Sequence, residues 1–214
     1  MAYKALALDV CGVLTTHKSV WQFIHEELGI WEGNASRFQE EFLAGLIDYR
    51  AFCERDAALW AGLEVSRLEE IVSRLPYRQG IAGLFETARR LGLSVGLIST
   101  GLTLLTDRIG RDFPVDFAAA NRLVTDNGLF TGGVEIAVPH DGKGHELVRY
   151  AGAVGVSARE VIAVGDGTSD VPMFLEAGCA VGFGDATEGM GSVVDLRTGT
   201  SLYELATTLR DLCS

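Results

Sequence analysis

The sequence predicts an α/β protein: a doubly wound parallel sheet with a helical cap inserted after its first strand. Three observations carry this. Ala5-Leu6-Ala7-Leu8 and Val161-Ile162-Ala163-Val164 are short apolar runs ending at Asp9 and at Gly165-Asp166, the pattern of parallel strands buried on both faces. From Gly80 onward, strand-like runs alternate with helical patterns, the order that builds a parallel sheet. The stretch between has helical spacing and no convincing strand.

In chain order, Val20, Trp21, Ile24, Glu27 and Leu28 step at helical spacing. Asn34 is a candidate cap for a second helix carrying Phe38, Phe42 and Leu43, and Asp48 for a third carrying Phe52, Leu59 and Trp60. Ser66-Arg67-Leu68-Glu69 reads as a capping box opening a fourth helix, closed by Pro76. A helix to about Leu91 then precedes a strand over Leu93 to Ile98, and a helix near Leu102 to Gly110 precedes a short strand over Asp116 to Ala119. Leu123-Val124-Thr125 and Leu129-Phe130 flank Asp126-Asn127-Gly128, a hairpin around an Asn-Gly turn. A helix from about Gly144 leads to the strand ending at Val164, and another, Val171 to Ala177, to a strand over Cys179 to Phe183. Thr200 to Leu212, with Ser201 and Glu204 near its start, is a closing helix. This assigns residues 1–14 and 80–214 to the sheet core and 15–79 to the cap.

The 214 residues, 48% hydrophobic and 22% charged, suit one domain with an insertion, or two small domains sharing a surface. A net charge of −11 argues against nucleic acid and anionic membrane as partners. It does not exclude a small anionic substrate, because a bound metal and a few cations can invert the local field. No apolar stretch reaches membrane-spanning length, and Met1-Ala2-Tyr3-Lys4 runs into a strand, not a signal peptide. Cys11, Cys53, Cys179 and Cys213 show no close pairing or metal-ligand spacing, so the expectation is a reduced, cytoplasmic protein. Nothing in the sequence specifies an oligomeric state.

In open parallel sheets ligands bind beyond the carboxyl ends of the strands, and the carboxylates cluster there. Asp9 is a candidate nucleophile, since a strand-end carboxylate beside a divalent cation can attack phosphorus; alone, it would more readily read as a strand-end turn residue. Ser99-Thr100-Gly101 offers a hydroxyl and backbone N–H groups to phosphoryl oxygens, or a plain helix cap. Lys143, in Asp141-Gly142-Lys143-Gly144 at a helix start, is a candidate phosphate partner or a solvated surface lysine. Asp166 and Asp170, in Gly165-Asp166-Gly167-Thr168-Ser169-Asp170, are close enough to repel, which implies a hard cation such as Mg²⁺.

With these motifs in this order, the chain resembles the haloacid dehalogenase superfamily, and within it the phosphoserine phosphatase-like branch. The resemblance covers nearly the whole length, including the cap and the stretch Asn121-Arg122-Leu123-Val124 followed by Asp126, Gly128, Leu129, Thr131 and Gly132. It implies a phosphatase acting on a small phosphorylated metabolite, with Asp9 attacking the phosphoryl group. It also implies Mg²⁺ held by the Asp9 carboxylate, the backbone carbonyl of Cys11 and Asp166. Ser99 and Lys143 would grip phosphoryl oxygens, and Asp170 would orient Lys143 and the metal's water shell.

One position departs from the family. Its phosphatases carry an aspartate two residues after the nucleophile, as acid toward the leaving alcohol and base toward water; here that residue is Cys11. A thiol of pKa about 8.5 is a weaker acid than a carboxyl of about 4, and losing general acid–base help costs roughly 10²–10⁴ in rate. The alternatives are a phosphatase for good leaving groups, or one drawing its acid from elsewhere, with His17 the nearest candidate, though it reads more readily as a solvated loop histidine. A phosphotransferase, or a catalytically weak relative that binds a phosphorylated ligand, also fits. Dehalogenation needs no metal, which the retained Asp166 and Asp170 count against, and C–P cleavage would want a cap lysine that Lys18 matches poorly. In phosphoserine phosphatases an acidic residue reads the substrate ammonium and a cap arginine its carboxylate; the ungapped positions here are Lys18 and Asp56, with Arg55 beside the latter. Those reversed charges predict poor phosphoserine turnover, with Lys18 free to meet a second anionic group or to pair at the surface.

Overall fold

The computed structural model describes residues 3–184 and 190–214; Met1 and Ala2 of the leading tetrapeptide lie outside them. Among the described residues seven strands form one sheet: β1 (Ala5–Leu8), β2 (Ser94–Leu102), β3 (Phe117–Asp126), β4 (Leu129–Glu135), β5 (Val161–Gly165), β6 (Cys179–Phe183) and β7 (Leu196–Thr198). Their spatial order is β4-β3-β2-β1-β5-β6-β7, and only the β3–β4 pair is antiparallel. Four helices follow β1: α1 (Val20–Glu27), α2 (Ser36–Leu43), α3 (Tyr49–Ala58) and α4 (Val65–Arg74). They are the helical cap. The remaining helices, α5 (Ile81–Arg90), α6 (Thr103–Asp112), α7 (Lys143–Ala153), α8 (Val171–Glu176) and α9 (Leu202–Leu212), alternate with the strands.

Strand alternation sorts β1 between two cores. Leu6 and Leu8 join the larger cluster, with Leu84 of α5 and Leu205 of α9, while Ala5 and Ala7 face α7 and α8. The small residues leave room for Tyr150, whose ring lies so close to Gly96 that a Cβ there would sit 2.9 Å from it. No described helix is long and apolar enough to cross a membrane. None of the four cysteines is paired.

Local chemistry explains several boundaries. Ser19 caps α1 by accepting from the Gln22 N–H, and Asp48 caps α3 by accepting from the Ala51 N–H. Asn127 and Gly128 both take positive φ, the geometry an Asn-Gly hairpin turn requires. Other expectations need correction. Asn34 does not cap α2; it lies inside a kinked turn over Trp31–Ala35 and accepts from the Arg37 guanidinium at 3.2 Å. Ser66 opens no capping box, because α4 begins at Val65 after Glu64. Tertiary bonds fix that start: Gly62 N–H donates to the Phe130 carbonyl, Phe130 N–H to Leu63, and Val65 N–H to Gly128, so the hairpin pins the cap. Trp60 falls beyond the end of α3. The short strand near Asp116 is the beginning of ten-residue β3, and β2 continues through Leu102 across an irregularity after Ile98. Edge strand β7 was not foreseen; three residues carry too little pattern to announce a strand.

Candidate active site

Strand register brings the distant aspartates together. Leu8 of β1 is level with Val164 of β5, and the Asp9 N–H donates to the Val164 carbonyl at 2.9 Å. Asp9 therefore leaves the sheet beside Gly165, one residue before Asp166. Oxygens of Asp9, Asp166 and Asp170 all lie within 4.8 Å of one another. Two glycines make this approach possible. Gly12 (φ +89°) abuts the Asp166 carboxylate and Gly165 abuts Asp170, so a Cβ at either would collide with the acid.

Lys143, the first residue of α7, is buried and donates to Asp9 Oδ1 and to Asp170 Oδ1, each at 2.5 Å. The second Asp170 oxygen accepts the backbone N–H groups of Asp166 and Gly167, both at 2.9 Å, so the whole carboxylate is held. Gly144 is needed behind Lys143, where a Cβ would sit 2.6 Å from the Pro172 carbonyl oxygen. Burial works against the Lys143 charge, yet Asp170 and Asp9 hold its pKa above the ordinary value. Burial, resisted by Lys143 and aided by Asp170 and Asp166, pushes Asp9 up to about 8. Burial and Asp170 push Asp166 up to about 6, with Lys18 pulling the other way. Cys11, turned toward the same mouth, is pushed up to about 12 by burial and then by Asp9.

A cavity of about 330 Å³ opens over these groups, lined at its floor by Asp9, Cys11, Ser99, Thr100, Gly101 and Asp166. Lys18 stands exposed at its edge. Lys143 and Asp170 are buried beside Asp9, with Lys143 bonded to both carboxylates. The Ser99 hydroxyl accepts from the Gly101 N–H at 3.0 Å. The Thr100 carbonyl is turned to the cap, accepting from Tyr49 Oη at 2.6 Å, Asn121 Nδ2 at 3.0 Å and Trp21 Nε1 at 3.4 Å. These three donors keep residues 99–102 extended instead of letting them turn into α6.

Three expectations about this region change. His17 does not face the cavity: its Nδ1 accepts from the Ser19 N–H at 3.2 Å, so Nε2 carries the proton toward Glu26, 3.1 Å away. Asp56 is buried in the cap, 3.4 Å from His25 Nε2, and Arg55 pairs with Glu41 at 2.6 Å; neither lines the cavity. The sequence reading also missed groups that shape the site. Arg78 donates to the carbonyls of Gly12 (2.7 Å) and Val13 (3.1 Å), fixing the loop after Asp9. His140, three residues before Lys143 in the turn closed by the Gly142 N–H on the Pro139 carbonyl, lines the cavity, as do Tyr49, Trp21 and Gln39. Burial and then Lys143 depress the His140 pKa. Its proximity to Lys143 in the chain was the only sequence signal for it.

A model of the haloacid dehalogenase-like hydrolases matches residues 7–175, and the chain belongs to that family. It is 33% identical over 185 residues to a phosphoserine phosphatase of Lactococcus lactis, covering 86% of this chain and 85% of that one. It is 36% identical over 188 residues to a phosphoserine phosphatase of Polaromonas sp., covering 85% and 79%. A solved phospho-aspartyl intermediate analogue of phosphoserine phosphatase superposes with a TM-score of 0.83 over 99% of both chains, at 24% identity, and shows the same fold. The protein is a phosphoserine phosphatase-like hydrolase of this family, and its acidic triad is consistent with a divalent metal site.

Proposed function

We propose that the chain is a Mg²⁺-dependent phosphomonoester hydrolase acting on a small phosphorylated metabolite through an aspartyl-phosphate on Asp9. The observation that carries this reading is Asp9 itself, buried at a strand end, open to the cavity, with Lys143 on one oxygen at 2.5 Å and two further carboxylates within 4.8 Å.

The residues fit Mg²⁺. Three carboxylates face one lysine, so negative charge is in excess; burial first, and then the neighbouring carboxylates, raise the Asp9 and Asp166 pKa values, a cost that a bound cation relieves. The donors are hard oxygens, as Mg²⁺ prefers. The carboxylates of Asp9 and Asp166 and the backbone carbonyl of Cys11 would hold it. When bound, it supplies positive charge to balance the phosphoryl oxygens. Asp9 attacks phosphorus with a carboxylate oxygen while Lys143 fixes its orientation and meets the phosphoryl charge. Asp170, held by two backbone N–H groups, positions Lys143. Ser99, with the backbone of Thr100 and Gly101, receives phosphoryl oxygens, and Lys18 at the rim draws the dianion in. The cap, which we place at residues 15–79, screens the mouth from water. The Thr15–Tyr77 bridge, with the Arg78 N–H on the Leu14 carbonyl at 2.8 Å, supports hinge points there.

Cys11 supports a second reading. A thiol with pKa about 12 is no base for water at neutral pH, so the aspartyl-phosphate could wait for an acceptor alcohol, as in a phosphotransferase. Measuring phosphate release and acid-quenched protein-bound phosphate together, with Mg²⁺ and a panel of phosphate esters, separates the two. Fast release identifies a hydrolase, and accumulated acyl-phosphate a transferase; Asp9→Asn abolishes both. Neither signal from any ester would sink the catalytic reading and leave a phosphate-ligand-binding relative.

A further inference from the structure

The cap side of the cavity is aromatic. Phe42 of α2 stacks on Phe52 of α3, with ring centroids 5.2 Å apart and planes 16° apart, and meets His140 edge-on at 5.4 Å. Tyr49 lies 5.9 Å from His140 and 6.3 Å from Phe52, and Trp21 of α1 lies 6.5 Å from Phe52. All five rings line the cavity that holds Asp9 and Cys11, so one continuous aromatic wall faces the phosphoryl end. Burial and Lys143 both favour the neutral imidazole, which keeps His140 part of that wall.

This wall offers no counter-charge. Among the described residues, the lining carboxylates are Asp9 and Asp166, both at the phosphoryl end, and the lining cation is Lys18. An amino-acid leaving group would bring an ammonium with no carboxylate to receive it, and burying it unpaired is costly. The cap residues that could have supplied charge are engaged elsewhere, Asp56 with His25 and Arg55 with Glu41. A flat ring, by contrast, gains stacking or edge contacts with each aromatic neighbour beyond its area burial. The cavity, about 330 Å³, lies at the low end of the roughly 300–1,000 Å³ of small-molecule sites. That suits a phosphoryl group carrying one ring system.

Cys11 points the same way on separate grounds. Cys11 lines the cavity beside Asp9 and carries no carboxyl group to protonate a departing alkoxide, whereas a phenolate leaves without such help. We propose that the substrate class is the phosphate monoester of a phenolic alcohol, its ring seated against Phe42, Phe52 and Tyr49. The inference rests on the phosphatase reading above. In the first step an Asp9 oxygen bonds to phosphorus and the P–O(aryl) bond breaks, its electron pair leaving on the phenolate. In the second, water bonds to phosphorus and the P–O(Asp9) bond breaks. The water's proton ends on the phenolate through solvent, giving phenol and inorganic phosphate.

The test compares kcat/KM for phenyl, benzyl and propyl phosphate and L-phosphoserine at saturating Mg²⁺, because kcat/KM reports the step in which the alcohol leaves. Benzyl against propyl isolates ring recognition, since both leave as alkoxides; phenyl against benzyl isolates the leaving group. Phenyl is expected to lead, benzyl to exceed propyl at least tenfold, and L-phosphoserine to fall no higher than propyl. Phe42→Leu, which keeps apolar volume but removes the ring, should cut the benzyl-to-propyl ratio at least threefold. If it misfolds, Tyr49→Leu reads the same ratio. Propyl phosphate or L-phosphoserine matching phenyl phosphate, or a ratio unmoved in a folded variant, overturns the aryl assignment and leaves the phosphatase reading standing. Absence of phosphate release and of protein-bound phosphate with all four esters overturns the phosphatase reading and this inference with it.

Discussion

Replacing Cys11 by aspartate tests what the thiol has cost the site. At pH 7 a thiol of pKa about 12 lies five units above the solution pH (12 − 7), so on the order of one in 10⁵ is ionised. As a base it is absent, and as an acid it is too weak to assist an alkoxide. A carboxyl group at the same position meets the same burial and the same Asp9, so its pKa rises from about 4 toward neutrality. A general acid works best when its pKa lies near the working pH. The full effect of such a group is about 10²–10⁴, part of which is lost to crowding beside Asp9 and Asp166. We expect Cys11→Asp to raise kcat/KM for propyl phosphate at least tenfold, about 1.4 kcal/mol of barrier. Phenyl phosphate should gain less, so the aryl-to-alkyl ratio falls. Dephosphorylation should also accelerate, which shortens the lifetime of protein-bound phosphate after an acid quench. The assay needs saturating Mg²⁺, circular dichroism to show folding, and a metal titration to show occupancy. An unchanged propyl phosphate rate in a folded, metal-loaded variant would refute the reasoning, because Cys11 would then not be the limiting defect.

Lys143→Met should leave Asp9 and Asp170 buried without their shared cation, and breaking a buried pair this way costs about 3–5 kcal/mol. Denaturant midpoints in EDTA would show it, and added Mg²⁺ should return part of the loss. Metal-free protein should be less stable at high pH. Folded-state pKa values of about 8 for Asp9 and about 6 for Asp166, above an unfolded 3.8, mean the folded chain binds more protons across that window. The favourable contribution is therefore present near pH 4 and is lost as pH rises through 6 and 8; Tm in EDTA should fall, and the Mg²⁺-induced rise in Tm should grow. A pH-independent Mg²⁺ effect over that range would contradict the assignment of both acids to one metal site. Gly12→Ala should weaken Mg²⁺ affinity in a calorimetric titration, since its Cβ collides with the Asp166 carboxylate. The residue's φ of +89° adds a backbone cost of about 1–3 kcal/mol, readable in a denaturation curve. Wild-type affinity in that variant would place the metal away from Asp166.

How much of this was legible in the sequence depends on which force sets each position. Asp9 and Asp166 could be paired at a distance because Leu6, Leu8, Ile162 and Val164 are buried. Buried parallel strands set the register, and the residue following each strand must then emerge at the same edge. The same logic gave the helical cap and the Asn127-Gly128 turn, where local backbone preference is strong. It failed where tertiary bonds override local chemistry. Ser66-Arg67-Leu68-Glu69 has the form of a capping box, yet the hairpin's bonds to Gly62, Leu63 and Val65 decide where α4 starts. Helical spacing identified Phe42 and Phe52 as inward positions, but a period reports only that a face is apolar. Whether that face meets other side chains or an open cavity depends on how far the cap stands off the sheet, which no spacing records. Charge counting was weaker still. Asp56 occupies a position that reads as substrate-facing when aligned by number, while its carboxylate is turned inward to His25, whose other ring nitrogen accepts from Trp60 Nε1. A charged residue on a cap helix meets solvent, substrate or a buried partner according to a rotation of about 100° per residue. A one-residue difference in where α3 begins is therefore enough to exchange a specificity residue for a core pair.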